Sequence, residues 1–273
     1  MLKTLCLTII IIAVSYLVVI LILFFSQKKM IFFPSANMAG VPAEIGIDFE
    51  DVYFRTADGV TLNGWFIPAE NAEYTVLFCH GNGGNISHRL DSVSLFNQLP
   101  VNLYIFDYRG YGKSGGEVTG DAGLYRDVEA AWRYLTETRS IQPGKIIVVG
   151  RSLGGAIAAY AAAENPAGGL VLESTFSSLP AIAKKKMPWI PAWLLKYKLS
   201  TVDSLAKVKC PVMITGSPDD EIVPFCFSSE LFEKAPEPKI FLKLTGGHDD
   251  CYFLCRTKYV SALRKFFEMV GKQ

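Results

Sequence analysis

Short apolar runs alternate with longer amphipathic stretches along most of the chain. A short, continuous apolar run is typical of a strand that is buried on both faces of a sheet. Predicted strands cover Val52–Thr56, Val60–Ile67, Tyr74–Cys79, Val101–Phe106, Lys145–Val149, Gly169–Leu172, Pro211–Thr215 and Lys239–Leu244. Predicted helices cover Ser87–Gln98, Asp121–Thr138, Leu153–Glu164, Phe227–Lys234 and Phe253–Val270. This alternation predicts an α/β fold, with a mostly parallel central sheet and helices on both faces.

The N-terminal part of the chain differs, because Thr4–Gln27 contains no charged residue. As a helix, Leu5–Phe25 would span about 31 Å, which is enough for the core of a bilayer. The run is longer than the apolar part of a signal peptide, and no small-x-small cleavage site follows it. We therefore expect a single-pass membrane protein with an uncleaved anchor. Lysines flank the run on both sides, so charge does not decide on which side the rest of the chain lies.

The pattern divides the chain into three parts. Residues 1–29 form the predicted transmembrane anchor, and residues 30–46 form a connector whose prolines argue against regular structure. Residues 47–273 form one α/β domain, with a short cap at about residues 174–200. The cap is too short for a large lid. Its apolar residues form either an acyl pocket or ordinary core packing, and they are Pro188, Trp189, Pro191, Trp193, Leu194 and Leu195.

Charge and cysteine content exclude several classes of protein. The formal net charge is +1, which gives no electrostatic case for a nucleic-acid partner. The six cysteines are scattered, so they indicate neither a zinc site nor a disulfide framework. Cys226, Cys251 and Cys255 could meet in one disulfide, but buried free thiols are the expectation. No metal and no cofactor is expected.

A Gly-x-Ser-x-Gly motif lies between a predicted strand and a predicted helix. Glycines at 150 and 154 flank Ser152, and side chains at those two positions would collide with the strand and the helix. Such a turn holds the serine in a strained conformation and exposes its hydroxyl above the sheet. The N-terminus of the following helix would stabilise negative charge beside the serine. We interpret Ser152 as a nucleophile, and an ordinary strand-to-helix turn is the alternative.

Partners for Ser152 should follow other strands, because active sites of such sheets lie at the carboxyl ends of the strands. Of the three histidines, His248 alone lies in a loop after a late strand. His88 falls within the first helix of the domain and is expected at the surface, while His80 is expected to brace a glycine-rich loop. A loop with Asp219 and Asp220 lies between the serine and the histidine, which gives the order Ser, Asp, His.

Five segments together resemble the serine hydrolases of the α/β-hydrolase fold, and they are His80–Asn85, Asp107–Gly112, Gly150–Gly154, Asp220–Pro224 and Gly246–His248. The resemblance covers Ile47–Val270. The anchor followed by Met30–Pro34 is similar to the membrane-anchored branch of α/β-hydrolase domain proteins.

This resemblance implies a catalytic triad of Ser152, His248 and Asp220. Counting back from Pro224, as in relatives, selects Asp220, whereas counting forward from Gly216 selects Asp219. Glu173, at the end of the preceding strand, would be the next acid to test. The oxyanion hole would take one N–H from Leu153, the residue after the nucleophile, and by resemblance a second from Asn82.

The sequence therefore predicts a membrane-anchored serine hydrolase that cleaves carboxylic esters or related acyl substrates through an acyl-enzyme. A serine peptidase of the same fold and a non-catalytic binding protein are the alternatives. The expected partners are a small-molecule acyl substrate, with lipid among the candidates, and the membrane through the N-terminal helix. Lysines around the tryptophans of the cap suggest that the cap lies against the bilayer, although solvated surface lysines give the same pattern.

Overall fold

The computed structural model describes residues 1–272, which contain ten strands. Strands β1 to β10 cover Phe33–Pro34, Glu50–Arg55, Thr61–Ile67, Tyr74–Cys79, Gly83–Gly84, Val101–Phe106, Ile146–Arg151, Gly169–Glu173, Val212–Gly216 and Lys239–Lys243. Eight of them form the sheet, in the order β10, β9, β8, β7, β4, β6, β3, β2. β3 pairs antiparallel with both β2 and β6, and the remaining pairs are parallel. The predicted α/β fold is confirmed.

Helices α1 to α9 cover Leu2–Ile31, Leu90–Phe96, Asp121–Arg133, Leu153–Glu164, Leu179–Lys186, Thr201–Leu205, Cys226–Lys234, Cys251–Leu254 and Arg256–Val270. The sheet has a hydrophobic core on each face. In β7, Ile146 and Val148 belong to one core, while Ile147 and Val149 belong to the other. Since successive side chains of a strand point to opposite faces, a strand covered on both faces must be apolar throughout.

Several predicted elements differ from the observed ones at their ends. The predicted helix at residues 87–98 begins as a 3-10 turn, Ile86–Arg89, that the Asn85 side chain caps by accepting the Ser87 N–H at 2.9 Å. The predicted helix at residues 121–138 ends in a π turn, Tyr134–Thr138. The prediction of a single C-terminal helix is wrong, because the backbone leaves helical geometry at Cys255 and separates α8 from α9.

Helix α1 is longer than the predicted anchor, because it continues to Ile31. It is the one helix within residues 1–272 that is long and apolar enough to cross a membrane, and a signal sequence near the N-terminus would pass the same test. The connector after it contains two short regular pieces that its prolines do not predict. β1 pairs in parallel with β5, and Pro42–Ile45 form a 3-10 turn.

The cap lies between β8 and β9 and contains α5 and a 3-10 turn at Ala192–Leu194. We call its segment Met187–Leu195 the cap loop, which contains no charged residue. The cap packs against α1, where the Tyr16 hydroxyl donates to the Trp189 carbonyl at 3.0 Å. All six cysteines are free thiols, and three of them are buried. Of the three cysteines expected as buried free thiols, Cys251 is buried, whereas Cys226 is exposed and Cys255 is partly exposed.

Candidate active site

Ser152 lies on the turn between β7 and α4 with a strained backbone. Its φ is +54° and its ψ is −120°, a conformation that side chains rarely adopt. Two neighbours hold the turn in place: the Ser152 N–H donates to the Glu173 carbonyl at 2.8 Å, and the Ser152 carbonyl accepts the Thr175 hydroxyl at 2.6 Å. The geometry is that of a nucleophile elbow.

The two glycines of the motif allow α4 to pack directly on the sheet. A Cβ at Gly150 would lie 2.4 Å from the Gly154 carbonyl oxygen, and a Cβ at Gly154 would lie 2.1 Å from the Cys79 carbonyl oxygen. Both contacts are with backbone atoms, which cannot move aside as a flexible side chain does. The close approach of helix and strand therefore requires glycine at both positions.

Arg151 and Glu173 form an ion pair next to the elbow and support it. Arg151 Nε donates to Glu173 Oε2 at 2.6 Å, and the Tyr259 hydroxyl donates to the other carboxylate oxygen. The guanidinium carbon lies 4.1 Å from the centre of the Tyr252 ring. Because both oxygens of Glu173 are engaged and the residue is fully buried, Glu173 is not available to a histidine. Sequence reasoning did not identify this brace.

His248 and Asp220 form a buried hydrogen-bonded pair. His248 Nδ1 donates to Asp220 Oδ2 at 2.7 Å. The other oxygen of Asp220 accepts the backbone N–H groups of Ile222 and Val223 at 2.9 and 2.7 Å. These amides fix the carboxylate while its second oxygen orients the imidazole.

Asp219 points elsewhere, so the structure distinguishes the two aspartates. Asp219 is exposed, and its Oδ2 accepts the Gly246 N–H at 3.2 Å. The residue that contacts the ring of His248 is thus the one selected by counting back from Pro224. The count forward from Gly216 selects Asp219, whose N–H donates to the Ser217 hydroxyl at 3.2 Å in the preceding turn.

Ser152 and His248 line one polar pocket of about 260 Å³, together with Asn82, Arg89 and Asp249. Within residues 1–272 no hydrogen bond joins the Ser152 hydroxyl to the imidazole ring. Hydrogen bonds of this kind commonly tighten when substrate binds. The structure therefore brings all three candidate residues to one site, with the Asp220–His248 contact already made.

The two predicted oxyanion donors also border this site. Leu153 is the first residue of α4, where N–H groups have no partner inside the helix. Across residues 1–272, neither its N–H nor that of Asn82 has an acceptor. Asn82 is held by its other groups: its side chain donates to the Ile31 carbonyl at 2.8 Å, and its carbonyl accepts the Phe33 N–H at 3.0 Å. The end of α1 thus fixes the loop that carries one donor.

Within residues 1–272 the other two histidines form no hydrogen bond with Ser152 or Asp220, although His88 also lines the polar pocket. His80 is fully buried, with its ring 4.4 Å from the ring of Tyr108 and one ring nitrogen 2.7 Å from the Gly81 carbonyl. His88 is exposed and accepts the Asn85 N–H at 3.2 Å as part of a helix cap. These positions agree with a bracing role for His80 and a surface position for His88.

A second cavity, of about 240 Å³, borders Ser152 and is almost entirely apolar. Its walls come from the cap and from α1, including Leu23, Phe24, Ile182 and Leu194. The sequence indicated that the cap is apolar and that α1 could span a membrane. It contained no signal that the two segments enclose one cavity beside the serine.

Comparison with known proteins agrees with the fold. A family profile described as "Serine aminopeptidase, S33" matches residues 70–205. The chain is 33% identical over 233 residues to the α/β-hydrolase domain-containing protein WAV2 of Arabidopsis thaliana, covering 77% of this chain and 75% of WAV2. It is 34% identical over 244 residues to Rv2307c of Mycobacterium tuberculosis, covering 88% of this chain and 86% of that protein.

Among solved structures, an esterase of Pyrococcus furiosus superposes with a TM-score of 0.71 at 21% identity, covering 88% of this chain and 97% of the esterase. At this identity the likeness shows the fold. A nucleophile elbow above a mostly parallel sheet defines an α/β hydrolase. Together with the relatives, it shows that the chain belongs to the α/β-hydrolase family.

Proposed function

We propose that this α/β hydrolase is a serine hydrolase that cleaves carboxylic esters or related acyl substrates. One observation carries the proposal: a serine in a strained turn lies on the same pocket as a histidine that is hydrogen-bonded to a buried aspartate. The strain at Ser152 supports a catalytic role over a non-catalytic binding role, because strained backbone clusters at active sites and here coincides with the histidine and aspartate.

In the proposed reaction, His248 accepts the proton of the Ser152 hydroxyl as the serine oxygen attacks the acyl carbonyl. The carbonyl oxygen becomes an oxyanion, which accepts hydrogen bonds from the backbone N–H groups of Leu153 and Asn82. His248 then donates its proton to the leaving group, and the acyl-enzyme forms. Water, deprotonated by the same histidine, releases the acid and restores the serine. Asp220 keeps the imidazole oriented throughout.

The two cavities then receive different parts of the substrate. Because His248 must donate a proton to the leaving group, the leaving group belongs in the pocket that His248 lines, which is the polar one. The acyl part belongs on the other side of Ser152, in the apolar cavity, which we call the acyl-side cavity. This division favours a substrate with an apolar acyl part and a polar leaving group.

A serine peptidase is the second candidate, because the matching family profile carries the description of an aminopeptidase. In an aminopeptidase the acyl part carries an ammonium group close to the reacting carbonyl. Among the described residues that line the acyl-side cavity, the one charged side chain is that of Lys186, a cation. A positive charge would repel the ammonium group, so the lining supports esters or thioesters over aminoacyl amides.

The proposal includes retention of α1 as a membrane anchor. A cleaved signal sequence has no reason to make specific contacts with the mature domain. Here Gln27 is buried, and its side-chain amide donates to the Leu194 carbonyl at 3.0 Å and accepts the Lys196 N–H at 2.8 Å. Removal of α1 would leave these cap groups without partners and open the acyl-side cavity.

The test is a substrate panel with the full chain in detergent micelles. Acyl esters, acyl thioesters and aminoacyl amides are compared by kcat/KM, with Ser152→Ala as the control. We expect turnover of esters or thioesters that the control lacks. Preference for aminoacyl amides would favour the peptidase, and turnover of none of them would contradict the proposal.

A further inference from the structure

Helix α1 presents one face to the cap, although it is apolar all round. The residues of α1 that line the acyl-side cavity are Ile20, Leu23, Phe24, Gln27, Met30 and Ile31. Their spacing of three and four residues defines a single stripe along a helix. Ile20 and Gln27 are buried on this stripe, whereas the neighbouring Ile22 is 59% exposed. The helix is therefore oriented about its own axis, with a fixed side toward the serine.

The cap loop lies beside the apolar part of α1. Its carbonyl at Trp189 accepts the Tyr16 hydroxyl, and Tyr16 lies nine residues before the last residue of the apolar run, Phe25. In a helix that separation corresponds to about 14 Å. With α1 spanning the bilayer as proposed, the cap loop reaches into the hydrocarbon of one leaflet.

The composition of the cap loop suits this depth. Trp189 and Trp193 are 51% and 78% exposed, which is costly in water but suits the boundary of a bilayer. Lysines 184–186 precede the loop and Lys196 follows it, so cations flank it on both sides. Lys196 Nζ lies 4.2 Å from the centre of the Phe24 ring of α1. Cations that flank an apolar segment are attracted to anionic lipid headgroups when that segment enters the leaflet.

The acyl-side cavity therefore lies between two segments that both contact lipid, and one end of it meets Ser152. An apolar cavity is filled most favourably by an apolar ligand, since water inside it lacks hydrogen-bond partners. The surrounding bilayer is a reservoir of such groups. A chain that enters between α1 and the cap would keep its apolar surface out of water along the whole path to the serine.

We infer that the cavity binds the acyl chain of a membrane lipid, and that α1 is a wall of this acyl-binding site as well as an anchor. The inference rests on the proposed function and adds to it the substrate class and the route of entry. The substrate is a long-chain acyl ester or thioester whose polar leaving group lies in the pocket beside His248. Hydrolysis consumes one water and yields the free fatty acid and the leaving alcohol or thiol.

Two consequences are measurable with the full chain. First, kcat/KM for a series of fluorogenic phenol esters should rise about fourfold per methylene from butyryl upward, until the cavity is filled. Second, Leu23→Trp, which fills the cavity from the side of α1, should lower the ratio of oleoyl to butyryl kcat/KM by about tenfold or more. The matched control is Ile22→Trp, one residue away on the exposed face, and it should leave that ratio within about twofold.

Reconstitution distinguishes the bilayer from water as the source of the chain. The oleoyl ester is placed either in the phosphatidylcholine vesicles that contain the enzyme or in separate, enzyme-free vesicles. Entry from the bilayer predicts a fast initial rate in the first arrangement and a slow one in the second. Equal initial rates would mean that the chain arrives through water and would overturn the route of entry.

The outcomes also separate this inference from the proposed function. If the wild type cleaves the butyryl ester but Leu23→Trp leaves the chain-length ratio unchanged, the wall role of α1 is wrong while the hydrolase proposal stands. Labelling of Ser152 by a fluorophosphonate probe identifies variants that still fold around the serine. If the wild type cleaves neither ester and is not labelled, the proposed function itself fails.

Discussion

The structure on the two sides of Ser152 is stabilised by different interactions. On the sheet side, the elbow and the Asp220–His248 pair are fixed by buried hydrogen bonds and by close backbone packing at Gly154. On the side of the cap, apolar side chains of two segments meet around a cavity, with a few hydrogen bonds such as that of Gln27 to Leu194. Fixed polar geometry suits bond chemistry, whereas adaptable apolar walls suit chains of varying length. The predictions below test this division.

The largest effect is expected from removing the charge of Asp220, the carboxylate of the proposed triad. Asp220→Asn leaves the imidazole in the wrong tautomer, which lowers kcat by about four orders of magnitude in a protease triad. Asp219→Asn is the matched control, and it should change kcat/KM by less than about tenfold because Asp219 contacts the Gly246 amide rather than the ring. Steady-state kinetics on any cleaved ester measures both. The reverse ranking would move the acid to Asp219.

Packing at the elbow should tolerate no added atom. In Gly154→Ala the new methyl group would overlap the Cys79 carbonyl, so we expect a loss of about 3 kcal/mol in the free energy of unfolding. Gly144→Ala is the control, since a Cβ there meets nothing within 4 Å. Thermal unfolding of the full chain in detergent, followed by circular dichroism, measures the two. Equal midpoints for both variants would contradict the argument for close packing.

The cap loop should be in contact with lipid. Of the four tryptophans, Trp65 and Trp132 are buried, while Trp189 and Trp193 are exposed on the cap loop. In vesicles of brominated lipid we expect quenching of the tryptophan fluorescence of the wild type, because bromine must approach the indole. Replacing both loop tryptophans by phenylalanine should remove most of this quenching, and Trp132→Phe should not. A wild type whose fluorescence is not quenched would mean that the cap stays clear of the bilayer.

A smaller, pH-dependent effect is expected at Asp58, which lies in the turn between β2 and β3 and accepts hydrogen bonds from Arg109. Hydrogen bonds from Arg109, and then from Thr56, lower the pKa of Asp58. A lowered carboxyl pKa gives stability that is complete above the unfolded value, about 3.9, and that is lost as the pH falls toward the folded value.

Asp58→Asn should therefore be less stable than the wild type by about 1 kcal/mol at pH 7. The difference should shrink as the pH falls below about 4. The difference in stability is measured as the difference between the thermal unfolding midpoints of the wild type and Asp58→Asn from pH 7 to pH 3. A difference that stays constant across this range would show that the charge of Asp58 does not contribute.

The sheet side was predictable because its signals are local. Five consecutive residues around Ser152 specify the elbow, and the apolar run before it specifies a strand covered on both faces. The choice between Asp219 and Asp220 was harder, because a shift of one residue exchanges them. The structure separates them through the amides of Ile222 and Val223, which hold Asp220 toward the histidine.

The side of the cap was not predictable, because its contacts join distant parts of the chain. Tyr16 and Trp189 are 173 residues apart, and an apolar run has the same composition whether it faces lipid or a cap. Gln27 was the one available signal. A lone amide at the end of an apolar helix indicates the edge of a membrane, yet here the same side chain binds two backbone groups of the cap.

The central claim, that Ser152 is an activated nucleophile, is tested most directly by covalent labelling. The full chain in detergent is treated with a fluorophosphonate probe, and the modified residue is identified by mass spectrometry of its peptides. We predict that Ser152 alone is labelled in the wild type, that Ser152→Ala is not labelled, and that prior incubation with a long-chain ester slows the reaction. Labelling that persists in Ser152→Ala, or a wild type that does not react, would contradict the claim.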